Sequence, residues 1–348
     1  MANSQGSPGK GTILVTGANG SLGSTMASQI ASTPELAAYH GLYAVRDAKA
    51  APVLRSALAQ HKTTNPHSHD IISLNLADLA SVRAVAATIN SQVASGQIPP
   101  IRALILNAGY LEFTSQSWTA DGFDMTFASN YLGHWLLTVL LLQSMDREVG
   151  RVVVVGSESH DPHNPKSKAS FDDARWKEFM RDGSSESMAR GTWSTSEEDP
   201  SYGGGFRRYG ASKFCQAMMI PELQRRLDTD PALSNICVLG VDPGSMPGNL
   251  TRRGPWFISL LMFKLIMPLL APLMAWLQPN GPLRTLKLGA ADVIAGAFQG
   301  PKGGYFYGSR VEEMTVEAQD VKKRERLWVE TVGYTELKEG ETSLGKWT

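Results

Sequence analysis

The chain has 348 residues, 42% hydrophobic and 19% charged, enough to bury one sizeable core, which excludes a disordered chain. Lys+Arg 33 match Asp+Glu 33, so no net charge recommends nucleic acid as a partner. The only cysteines, Cys215 and Cys237, exclude a disulfide framework and fit a reducing compartment. Met1 to Lys10 is polar and lacks the apolar core of a signal peptide, so the expectation is a cytoplasmic, cytosol-facing protein.

Gly11 to Gly17 reads as a short buried strand running into a glycine turn, and helical sequence follows from Leu22 to about Ala31. Strand, turn and helix form a context in which Gly17, Asn19, Gly20, Ser21, Leu22 and Gly23 can cradle a pyrophosphate on backbone amides and a helix N-terminus. A second strand, Gly41 to Val45, ends at Arg46. A carboxylate there would suit a free ribose 2′-hydroxyl. Val45 followed by Arg46 suits a 2′-phosphate instead, which favours NADP(H), with Asp47 as a competing partner for the arginine. The third strand is read from Asp70 to Leu76, with Asn75 and Leu76 at its adenine end and a helix from about Asp78. His61, His67 and His69 lie in the preceding polar stretch without a matching carboxylate or cysteine cluster, so no metal site is expected. Ile101 to Leu106 is a buried strand ending in Asn107, Ala108 and Gly109, small enough for the backbone to approach a flat ring.

From Phe123 to about Met145 the pattern is helical and strongly apolar, with Asn130 inside it. A polar amide there must be bonded, either as a satisfied core residue or as a helix-bending group holding a water against a lysine. Arg151 to Val155 is a strand whose end presents Ser157 to the crevice where ligands bind in open α/β sheets. Residues 158–205 turn polar, with Pro162, Pro165, Pro200 and the run Gly203-Gly204-Gly205, and read as an insertion forming a mobile flap; His160 and His163 find no complete ligand set. A helix then carries Tyr209 and Lys213, four residues apart on one face, where an ammonium would draw the phenol pKa down towards a useful range. It runs to about Leu227. Ile236 to Val241 is a strand closing on Asp242, Pro243 and Gly244, and Gly304 to Tyr307 reads as the last strand. Alternation throughout predicts an α/β fold with a doubly wound parallel sheet, in one domain spanning 1–348.

Trp256 to Leu277 is almost wholly apolar and long enough to span a membrane. Lys264 near its middle, Pro268 and Pro272 breaking a helix, and sheet strands on both sides argue against a span. Two readings remain: a lid over 245–290 walling an apolar substrate pocket, or a patch over 256–277 lying in a membrane interface.

Together, Thr16-Gly17…Gly23, Asn107-Ala108-Gly109, Asn130, Ser157, Tyr209…Lys213 and Pro243-Gly244, in this order from about Thr12 to Trp328, resemble the short-chain dehydrogenase/reductase superfamily. Glu317 to Gly333 is similar to the tail of retinol-dehydrogenase-like and fungal secondary-metabolism members, and the insertion to that of carbonyl-reductase-like members. The resemblance implies a Rossmann-like fold, Tyr209 as general acid/base, Ser157 on the substrate oxygen, Lys213 on the nicotinamide ribose and Asn130 in a proton relay through water. Members often dimerise through helices that include the tyrosine helix, so a homodimer is among the implied partners. Three departures stand out. The spacing Gly17-x-x-Gly20-x-x-Gly23, with Ser21 at a glycine position, is that of the extended branch; Asn75 replaces an aspartate; and Gly248 stands where a threonine is customary, with Thr251 nearby.

The reading is an NADP(H)-dependent oxidoreductase interconverting a ketone or aldehyde and an alcohol on a hydrophobic small molecule, such as a terpenoid, polyketide, steroid or retinoid-like compound. Its alternatives are a non-redox enzyme (epimerase or dehydratase) on the same fold and a nucleotide-binding scaffold without turnover.

Overall fold

A computed structural model describes residues 10–60, 67–250, 266–300 and 302–348. His61, Thr251 and Lys264, together with residues 256–265 of the apolar stretch, lie outside the described residues. Eight strands form one sheet in the order β3-β2-β1-β4-β5-β6-β7-β8. They are β1 (Thr12–Thr16), β2 (His40–Val45), β3 (His69–Ser73), β4 (Ile101–Leu106), β5 (Arg151–Val155), β6 (Cys237–Asp242), β7 (Tyr305–Tyr307) and β8 (Arg310–Glu312). All pairings are parallel except β7 with β8, a short antiparallel edge strand that sequence patterning missed.

Around the sheet lie α1 (Ser21–Ser32), α2 (Pro34–Ala37), α3 (Pro52–Ala59), α4 (Leu79–Ala94), α5 (Met125–Phe127) and α6 (Gly133–Leu141). They are followed by α7 (Glu186–Ala189), α8 (Tyr202–Asp228), α9 (Met267–Leu277), α10 (Leu286–Phe298), α11 (Val316–Gln319) and α12 (Val321–Thr335). The hydrophobic runs of β4 and β5 are buried on both faces, as parallel strands between helical layers must be. One face packs α1 and α10 over Ile13, Val15, Ile105 and Val153. The other packs α4, α6, α8 and α12, where Trp135 meets Trp328 edge-on at 4.9 Å between centroids.

Four expectations change. The third strand stops at Ser73, because Asp78 caps α4 through the N–H groups of Ala80 and Ser81 and the chain must turn first; Asn75 and Leu76 therefore sit in a loop. The segment 158–205 is not a loose flap. Phe171, Trp176, Phe179, Met180 and Met188 are buried in the core, held by Arg207 and Arg208 of α8 and by Glu317 and Glu330 of the C-terminal helices. The triple glycine is no hinge but the first turn of α8; a Cβ on Gly205 would meet the backbone oxygens of Glu112 and Phe113, at 2.1 and 2.3 Å. Pro272, read as a break, lies inside α9, which exposes Leu269, Leu273, Trp276 and Leu277. The helix over Met125–Ser144 has the length and apolarity of a membrane span, yet it is 94% buried: a core helix.

Candidate active site

The glycine turn is built by steric necessity. Gly17 has φ +66°, and a Cβ there would fall 2.7 Å from Cα of Ala108. A Cβ on Gly23 would lie 2.5 Å from the Gly17 carbonyl, so helix and turn pack backbone to backbone. The first bond of α1 runs from the Ser24 N–H to the Gly20 carbonyl at 2.8 Å; the N–H groups at Ser21, Leu22 and Gly23 precede it and form the anion-binding end of the helix. Asn19 turns its Oδ1 to the Leu54 N–H at 3.0 Å, joining the turn to α3. Thr16 and Asn107 tie β1 to β4. The Asn107 and Ala108 N–H groups donate to Thr16 Oγ1 at 2.9 and 3.0 Å, and Asn107 Nδ2 donates to the Thr16 carbonyl at 2.7 Å.

Arg46 is exposed at the end of β2 and, with Asn75, lines a groove of about 990 Å³. Asp47 spends its Oδ1 on the Lys49 N–H, at 2.9 Å, rather than on that arginine. Leu76 is buried, its carbonyl so close to Gly133 that a Cβ there would sit 2.0 Å away. At the opposite end, Gly244 has φ +76° and lies against Arg284, while Pro243 packs on Gly289 of α10. The chain then returns over the cradle: the Asn249 N–H donates to Ser21 Oγ at 3.1 Å, and Leu250 lies beside Gly109.

Ser157, Tyr209, Lys213 and Asn130 converge from β5, α8 and the α5–α6 helix. Ser159 donates to Ser157 Oγ through its hydroxyl at 2.9 Å and its N–H at 3.3 Å, which leaves the Ser157 hydroxyl hydrogen free to donate. The Ser157 N–H donates to the Tyr305 hydroxyl at 3.0 Å, so β7 backs the serine. Burial pushes the Tyr209 phenol above its ordinary range, the Asp242 charge adds to this, and a hydrogen bond with Ser157 opposes it. This corrects the expected lowering by Lys213, whose Nζ is 5.6 Å from the tyrosine ring centroid and is turned to the Val155 carbonyl at 2.9 Å and Gln216 Oε1 at 2.8 Å. Tyr209 is thus a neutral acid in this state. Burial lowers Lys213 to about 8 and raises Asp242 to about 7, each pulled back by the other's charge.

Asn130 sits in a π turn, Ala128–Leu132, closed by the Gly133 N–H to the Ala128 carbonyl. Such a turn loosens the helical ladder, often at functional sites. The Asn130 side chain clamps Tyr110 through both its backbone groups and donates to Ser212 Oγ at 2.9 Å. Its main-chain carbonyl accepts from Gln216 Nε2 at 2.7 Å. Sequence reasoning missed Gln216, His134 and Tyr305. A weak signal existed for the first two, which stand three residues after Lys213 and four after Asn130 on shared helix faces. Among the described residues no cluster of histidine, cysteine or carboxylate side chains could hold a metal ion.

The short chain dehydrogenase family model matches residues 11–169. The chain is 45% identical to a short-chain dehydrogenase of Talaromyces variabilis, over 97% of this chain and 99% of that one. It is 28% identical to retinol dehydrogenase 14 of Mus musculus, over 91% of this chain and 83% of the other. An NADPH-bound carbonyl reductase from chicken fatty liver shares the fold with a TM-score of 0.56 at 15% identity, covering 88% of this chain and 99% of its own. With the Talaromyces variabilis protein matched almost end to end at 45% identity, the chain belongs to the short-chain dehydrogenase family, whose members are oxidoreductases.

Proposed function

We propose that the protein is an NADP(H)-dependent reductase or dehydrogenase that interconverts a carbonyl and an alcohol on a hydrophobic small molecule. The observation that carries the reading is the convergence of a buried neutral Tyr209, the Ser157 hydroxyl bonded to it, and a buried Lys213. What supports the cofactor is the cradle, whose Gly17 and Gly23 admit no Cβ, together with the N–H groups at the start of α1 and the exposed Arg46 at the end of β2. A nicotinamide bound there supplies or accepts the hydride.

Tyr209 gives its proton to the substrate oxygen during reduction and takes it back during oxidation. Ser157 donates a hydrogen bond to the same oxygen and holds charge that develops on it. Lys213 has one N–H left after Val155 and Gln216, suited to a ribose hydroxyl. The apolar substrate class is supported by the exposed side chains of α9, which follow the cradle-covering segment. The same helix supports a second reading, that of a patch resting in a membrane interface, because Leu269, Leu273 and Trp276 point outward together.

The test is NADPH consumption at 340 nm with a panel of apolar ketones. Tyr209→Phe is expected to lower turnover by about 10²–10⁴-fold with the fold intact. Equal rates in both proteins would remove the acid/base role, and a preference for NADH would remove the cofactor assignment.

A further inference from the structure

Behind the catalytic lysine lies a closed chain of buried hydrogen bonds. Lys213 Nζ donates to Gln216 Oε1 at 2.8 Å, and Gln216 Nε2 donates to the Asn130 carbonyl at 2.7 Å. His134 Nδ1 lies 2.7 Å from the same carbonyl. A carbonyl only accepts, so Nδ1 carries the imidazole proton and Nε2 is bare. Nε2 then accepts from the Thr16 hydroxyl at 2.9 Å, and Thr16 Oγ1 accepts the N–H groups of Asn107 and Ala108. Burial holds the His134 pKa down to about 4, which keeps that tautomer neutral. Every side chain involved, from Lys213 to Thr16, is at most 3% exposed.

A chain of hydrogen bonds conducts protons when each link can both give and take one. Water and hydroxyl groups do so; a carboxamide and a backbone carbonyl do not at neutral pH. Two consecutive links here, Gln216 and the Asn130 carbonyl, are of the second kind.

We propose that Gln216 is a positioning residue of the catalytic centre: its carboxamide ties the lysine to the glycine turn by bonds that orient without conducting. The proposal rests on the cofactor-binding reading above, because the property Gln216 protects is the aim and charge of the Lys213 ammonium towards the ribose.

The test is the dissociation constant of NADPH, read by tryptophan quenching between pH 6 and 9.5, for wild type, Gln216→Leu and Gln216→Ala. Leucine keeps the volume and loses the bonds; alanine loses the volume and admits water. The charged or titrating groups facing Lys213 are Tyr209 on its own helix, Asp242 from β6 and His134 from α6, with Glu158 and Lys166 behind Asp242. Only Lys213 and Asp242 titrate in this window, and the 2′-phosphate of NADPH titrates equally in all three proteins.

Losing an acceptor disfavours the ammonium, so the pH at which NADPH affinity falls should move down by about one unit in Gln216→Leu, with affinity weakened about tenfold or more at pH 8. Gln216→Ala should stay within about threefold of wild type, because water restores the acceptor. A leucine variant that equals or surpasses the alanine variant, or a pH midpoint unmoved by leucine, overturns the proposal in favour of packing alone. If Gln216→Leu does not fold, the alanine variant decides: an affinity lowered evenly across pH overturns the proposal, and a near-wild-type profile sustains it. Wild-type protein that binds no NADPH overturns the functional reading and this one together, whereas binding with an unmoved midpoint overturns this one alone.

Discussion

Two long excursions leave the sheet, one between β5 and α8 and one between β6 and α10, and they invert what their sequences promise. The first is polar and rich in proline, yet it buries Phe171, Phe179 and Met180 and is nailed down by buried arginines. The second is apolar, yet its helix α9 turns Leu269, Leu273 and Trp276 to solvent. Order in the first comes from anchors at long sequence separation, not from regular structure, of which it has only short turns. Apolarity in the second is spent on something other than the core. The difference divides the two: one excursion packs against the helix that carries Tyr209, and the other leaves an apolar helix face exposed.

The largest test of that division is Phe179→Ala, which empties a fully buried site stacked on Phe214 of α8. Unfolding by denaturant should show a loss of about 3–5 kcal/mol. A loss comparable to that of a surface substitution would mean the excursion is draped over the core, not part of it. Next comes Arg207→Ala. Arg207 bonds Ser194 Oγ, the Ser170 carbonyl and Asp199, and its guanidinium covers the Trp176 ring at 4.5 Å from the centroid. Stability should fall by about 2–3 kcal/mol, and turnover should fall with it because Tyr209 lies two residues on. Unchanged turnover in a destabilised variant would separate the anchor from the tyrosine.

A pH test probes the root of the second excursion. The Asp242 carboxyl is raised to about 7 from 3.8 by burial, so the folded protein binds this proton more tightly than the unfolded chain. Its contribution favours the fold below the unfolded pKa and is lost as pH rises towards about 7. Asp242→Asn removes that slope, and by pH 8 the variant should be more stable than wild type by about 1 kcal/mol or more. Parallel stability curves between pH 4 and pH 7 would show that the carboxyl is not strained by its burial. The smallest effect on stability belongs to Trp276→Ser in α9, where Trp276 is 78% exposed; it should stay within about 0.5 kcal/mol. The same variant should raise KM for apolar ketones or release the protein from lipid vesicles. If neither moves, the exposed face serves neither purpose.

How much could be read without coordinates follows the reach of each interaction. β4 and β5 were legible to the residue because a doubly buried strand is a short apolar run with clear ends. Tyr209 and Lys213 were singled out by their helical spacing and Ser157 by its place after a strand, while Asn130 joined them only through the family resemblance. Gln216 was not legible, since beside Lys213 on its own helix its neighbours are the Asn130 carbonyl in the π turn and His134 of α6, and only the fold brings them together. The triple glycine misled for a related reason: glycine signals either freedom or close approach, and only the backbone of Glu112 and Phe113 reveals which. Arg207 and Arg208 gave no signal in the sequence, because their carbonyl partners at Ser170 and Ser115 are 37 and 93 residues away.

The π turn at Ala128–Leu132 has one further consequence. A π turn is an α-helix with one residue too many, and each residue advances a helix by about 100°. The surplus residue therefore acts as a phase slip between the two halves of the Met125–Ser144 helix. Phe127 and Trp135 both face the core while Asn130 offers its carbonyl to Gln216 between them. Deleting one residue from the turn would leave composition, apolarity and helical content almost untouched. It would rotate one half against the other, and either the core stripe or the catalytic contact would have to face the wrong way.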